Sequence, residues 1–136
     1  MKKYIVLTGV VFVLALALSA CGGGGASTEI NVTMTDFMFE PTEFTIPAGQ
    51  TITVNATNNG AVEHEFVVFN LGTDAGESFG DEDEGNIFWE VEVQPGESST
   101  STFTAPSEPG TYSVTCGIEG HLEAGMSATL TVVAAE

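Results

Sequence analysis

The sequence predicts an all-β fold, an antiparallel Greek-key β-sandwich of seven or eight short strands, on three observations. From Ile30 onward apolar and polar residues alternate with period two, the pattern of strands half buried against a core. Turn-forming clusters punctuate that alternation, and no segment sustains a 3.6-residue period.

The N-terminal residues follow a different pattern. Lys2 and Lys3 precede an apolar run from Ile5 to Leu18 that ends in Leu18-Ser19-Ala20-Cys21, the layout of an export signal. That run is shorter than the roughly 20 residues a bilayer span requires. Leu-Ser-Ala-Cys resembles the lipobox of bacterial lipoproteins, in which the Cys is lipidated and becomes the first mature residue. Residues 1–20 are therefore read as a signal peptide of lipoprotein type and Cys21 as the lipidation site. Residues 21–28 are read as a lipid-anchored Gly-rich tether and 29–136 as the folded domain. This places the domain outside the cytoplasm, held by lipid at the outer face of the cell membrane or on its periplasmic side.

Within the domain, Ile30, Val32 and Met34 alternate with polar neighbours, and Phe44-Thr45-Ile46 forms a shorter strand. Ile52, Val54 and Ala56 repeat the pattern after the Pro47-Ala48-Gly49 turn. Asn58-Asn59-Gly60 then separates it from 62–69, which places His64 on the same side as Val62, Phe66 and Val68. Ile87, Trp89, Val91 and Val93 define a further strand, and Ser99 to Thr104 another after Pro95-Gly96. Beyond Pro109-Gly110, one strand aligns Tyr112, Val114 and Cys116, and the last aligns Met126, Ala128, Leu130 and Val132. The acidic segment between Leu71 and Asn86 matches positions one, three and twelve of a calcium loop with Asp81, Asp83 and Glu92. Gly85-Asn86 stands in the wrong order for positions five and six, so the segment is read as a solvated loop.

Charge narrows the range of functions. The chain carries 19 Asp and Glu against 2 Lys and Arg, for a net charge of −17, and both basic residues lie in the signal. Affinity for nucleic acid rests on Lys and Arg displacing counterions, so nucleic-acid binding is excluded.

Cysteine and histidine usage points to a metal. Once Cys21 is assigned to lipid, Cys116 has no partner for a disulfide. His121 follows it in the loop 117–125 with the spacing C-x4-H-x4-M, and glycines at 117, 120 and 125 let that loop gather its side chains. His64, Cys116 and Met126 fall at strand ends and face inward, so both histidines, the free thiol and one thioether converge. Two His, one Cys and a weak axial Met form the donor set of a type 1, blue copper, electron-transfer site. A structural zinc site would require a further Cys or His, and the sequence has none to offer.

On these residues, above all the stretch from Gly110 to Cys116 followed by Gly120 to Met126, the domain resembles the cupredoxins, the family of plastocyanin, azurin and auracyanin. The resemblance implies equatorial ligands His64, Cys116 and His121, a long axial bond from Met126, and one copper cycling between Cu(I) and Cu(II). It also implies a small contact patch for partners around His121, from Ile118, Leu122 and Ala124. One departure concerns Glu65, since many cupredoxins have Asn directly after the first His, where it ties the ligand loops together. The function so implied is a non-enzymatic shuttle of single electrons between membrane-associated redox partners, such as a c-type cytochrome, a reaction centre or a terminal oxidase. The alternatives are a copper carrier or store supplying an oxidase, and a metal-free β-sandwich lipoprotein.

Overall fold

The computed structural model describes residues 25–135, so the signal peptide and the first half of the tether read from the sequence, Cys21 included, lie outside the described residues. No helix among those residues is long and apolar enough to cross a membrane.

Nine strands form two sheets: β1 (Glu29–Thr35), β2 (Met38–Glu40), β3 (Glu43–Pro47), β4 (Thr51–Asn58), β5 (His64–Phe69), β6 (Ile87–Val93), β7 (Ser98–Thr104), β8 (Gly110–Thr115) and β9 (Ser127–Val133). One sheet runs β2-β1-β4-β7 and the other β3-β9-β8-β5-β6. The strand beyond the predicted count is the three-residue β2, too short to show a period. The pairing is mixed rather than wholly antiparallel, because β1 runs parallel to β4 and β3 parallel to β9. Sequence alternation carries no information about strand direction.

The alternating residues do what the pattern requires. Ile30, Val32, Ile52 and Val54 from one sheet meet Phe66, Val114, Leu130 and Val132 from the other, all at most 2 % exposed. Phe66 is the hub, with Phe39 and Phe44 edge-on to it at 5.3 and 5.5 Å between ring centroids. Full burial of one such side chain stabilises by about 2–3 kcal/mol. Burying three rings two residues from His64 therefore fixes the start of β5. Trp89 stacks on Phe103 at 4.7 Å and joins the β6 and β7 edges of the two sheets.

Period two fails in β5, where Val67 and Phe69 are as buried as Phe66 and Val68. This strand lies between β8 and β6, and its outer face is covered in part by the acidic segment, through Phe79 against Phe69. Val62 departs from the expected parity: it precedes β5 and is 40 % exposed.

Tyr112 is buried, and its hydroxyl donates to the Glu108 carbonyl at 2.7 Å, tying β8 to the turn before it. Tyr112→Phe is expected to cost about 1 kcal/mol. Urea unfolding should show this as a lower midpoint at unchanged slope; an unchanged midpoint would contradict it.

Candidate metal centre

Three of the four candidate ligands reach one end of the sandwich through strand register. β5 and β8 are antiparallel, with Val67 opposite Thr115, so the start of β5 adjoins the end of β8. His64 opens β5 and Cys116 follows β8. β8 and β9 pair Thr115 with Ser127, which sets Cys116 against Met126, and the Cys116 N–H donates to the Met126 carbonyl at 3.1 Å. His121 comes from the connecting loop, which curls through bonds from its N–H to the Ile118 carbonyl and from the Met126 N–H to the His121 carbonyl. Gly120 and Gly125 make that curl possible with φ of 84° and 99°, values other residues seldom adopt.

The donor atoms converge. Cys116 Sγ lies 3.3 Å from His121 Nδ1 and 3.9 Å from His64 Nδ1, and the two Nδ1 atoms are 3.2 Å apart. Among the described residues this is the one cluster of three His, Cys, Asp or Glu groups with ligand atoms within 4.8 Å of one another. His64, Cys116 and Met126 are fully buried and His121 is 8 % exposed. Two imidazole nitrogens and a sulfur aimed at one buried point suit a soft, imidazole-binding transition metal.

Without a cation, burial favours the neutral forms of Cys116 and His121. Burial pushes the Cys116 thiol up, against the lowering effect of the Glu65 and Ile118 N–H groups that face it. Burial, and then the neighbouring His64, pull His121 down. A bound metal ion reverses that preference by attracting the thiolate.

Glu65, Asp36 and Phe37 surround the cluster, and the sequence had singled out only Glu65. Glu65 N–H donates to Cys116 Sγ at 3.4 Å, so the bond to sulfur comes from the backbone and does not depend on the residue following His64. The Glu65 side chain lies on the other side of the strand, over Gly117, where an added Cβ would stand 2.1 Å from Glu65 Oε2. Asp36 Oδ1 lies 2.8 Å from His64 Nε2. Bonds from the Ala61 N–H and from His64 hold that carboxyl below its ordinary value, against partial desolvation. Phe37, 41 % exposed, covers both imidazoles, with centroids 4.6 Å from His121 and 6.2 Å from His64. Asp36 and Phe37 occupy the short turn between β1 and β2, and their only sequence signal was an aromatic residue placed where a turn should be polar.

Of the predicted contact residues, Ile118 is partly buried against the core, Leu122 is half-buried and Ala124 is exposed. The acidic segment forms an open cleft with this loop, lined by Asp81, Glu82 and Glu84 on one side and Glu119 and Glu123 on the other. Asp83 is buried and accepts the Gly80 N–H, so it serves its own turn.

Known proteins are similar to this chain in sequence and architecture. The chain is 32 % identical to auracyanin-A of Chloroflexus aurantiacus over an alignment of 146 positions, covering 86 % of this chain and 90 % of that one. It is 31 % identical over 108 positions to the copper-resistant cuproprotein CopI of Rubrivivax gelatinosus, covering 74 % of this chain and 64 % of that one. The dithionite-reduced auracyanin of Roseiflexus castenholzii superposes with a TM-score of 0.69 at 34 % identity, covering 80 % of this chain and 99 % of that one. The family model described as a cupredoxin-like domain matches residues 8–132, and with the sandwich and the buried His-Cys-His cluster it makes this chain a member of the cupredoxin family.

Proposed function

We propose that the protein is a blue copper electron-transfer protein in which His64, Cys116, His121 and Met126 would hold the copper. The observation that carries this reading is the convergence of the Sγ and the two Nδ1 atoms at a buried point beside Met126. A copper held there would supply a one-electron Cu(II)/Cu(I) couple. The protein's part is to hold one geometry for both oxidation states. Strand pairing fixes Cys116 and Met126 through their backbones, the phenylalanine cluster fixes the start of β5, and the Glu65 N–H steadies the sulfur. In this reading the protein acts as an electron carrier rather than an enzyme.

Exposed Phe37, with Leu122 and Ala124, is the proposed contact face, since it lies against the His121 ring. The flanking acidic cleft favours a basic redox partner such as a c-type cytochrome. Lipidation at Cys21 would hold this carrier at the membrane surface.

Titration of the protein with Cu(II) is expected to give an intense blue band that saturates at one copper per chain. A colourless product, or no saturation, would return the four residues to purely structural roles. The rate of electron transfer to a basic cytochrome is expected to fall about tenfold or more from low to high salt. A salt-independent rate would remove the acidic cleft from docking. Similarity to CopI favours one second reading, copper handling. A carrier would yield its copper to a chelating acceptor, whereas a shuttle keeps it through repeated redox cycles.

A further inference from the structure

Asp36 opens the turn after β1, far in sequence from His64, yet its carboxylate is built into the site. Oδ1 meets His64 Nε2 at 2.8 Å, and Oδ2 accepts the Ala61 N–H at 2.9 Å. The turn that supplies this N–H is itself locked. Asn58, fully buried, donates to the Val62 and Val93 carbonyls at 2.8 and 2.9 Å and accepts the Gly60 N–H at 2.8 Å. Gly60 leaves the room the pair occupies: a Cβ there would lie 2.2 Å from Asp36 Oδ1 and 2.8 Å from His64 Nε2. Three segments, 36, 58–62 and 64, thus close around one carboxylate–imidazole contact.

A carboxylate is only an acceptor, so it places the imidazole proton on Nε2 and leaves the Nδ1 lone pair facing Cys116 and His121. Such a partner also raises the electron-donating power of the ring. Its negative charge favours the more highly charged oxidation state of a metal on Nδ1. We propose that Asp36 is a positioning residue that fixes the tautomer of His64 and lowers the reduction potential of the centre below that of the same ligand set with a neutral partner. This rests on the blue copper reading.

Two variants test it. Asp36→Asn keeps the shape and removes the charge. In the copper-loaded protein its affinity for Cu(II) should fall about tenfold relative to Cu(I), which is a rise of about 59 mV in potential. The blue band should persist. Asp36→Ala removes the acceptor, and nitrogen NMR of the metal-free protein should show His64 changing from the single Nε2–H form to a mixture. An Asp36→Asn protein that is blue with an unchanged potential, or a His64 tautomer unmoved in Asp36→Ala, would overturn the proposal and leave the copper site standing. A wild-type protein that stays colourless with Cu(II) would overturn the copper reading itself, and with it the role of Asp36 in setting a potential.

Discussion

Cys116→Ser is expected to abolish the blue absorption completely and to weaken copper binding by orders of magnitude, while the domain still folds. The band requires a thiolate bonded to the metal, and Cys116 is the free cysteine at the centre, fully buried with both Nδ1 atoms within 3.9 Å of its sulfur. Serine is close in size, so the pairing of Cys116 with Met126 through the backbone survives. Its hydroxyl is a hard and weakly acidic donor that suits copper poorly. Met126→Leu is the contrasting substitution. It conserves volume in the core and removes only the thioether, the weakest of the four proposed donors, so the blue colour should remain with a changed potential. Visible spectra of the two copper-loaded variants decide the matter. A blue Cys116→Ser protein would show that the chromophore does not include this sulfur.

Strand existence was legible because burial and period two coincide wherever a strand has one face on the core and the other in solvent. Ile30, Val32 and Met34 behave this way, as do Ile52, Val54 and Ala56. The pattern failed at β5, which is covered on both sides, and at Val62, where the strand had not yet begun. The candidate quartet was legible for a chemical reason: few residue types can form a metal site, and this chain has only two histidines and one unassigned thiol. What surrounds it was not legible. Asp36 reaches His64 across 28 positions, and the sulfur bond comes from a main-chain N–H that every residue except proline offers. Long-range partners of this kind leave no local period, and backbone donors leave no residue signature.

Glu65 shows how a substitution that leaves the sulfur bond intact still carries a cost. On β5 it stands directly opposite Glu92 of β6, and Val67 opposite Glu90, so the strand pairing gathers like charges. Desolvation first, then Glu90, Glu92, Glu84 and Glu63, raise its carboxyl from 4.5 to about 7. Below the lower value the folded and unfolded chains both hold the proton, and above the higher one neither does. Between them the folded chain keeps a proton the unfolded chain has lost, so stability falls as pH rises through this window and stays lower beyond it. Because Glu65 is only half-buried, we discount the full linkage and expect a loss of about 2 kcal/mol. Glu90, raised chiefly by desolvation, contributes with the same sign. The effect of Glu65 alone is therefore the difference between wild type and Glu65→Gln, measured by denaturant unfolding of the metal-free protein on both sides of the window. The two should be similar in stability at pH 4, and Glu65→Gln should be the more stable at pH 8, by a margin that added salt reduces as it screens the neighbouring carboxylates. Equal stability at pH 8 would mean that Glu65 ionises without penalty and that solvent, rather than the strand pairing, governs its charge.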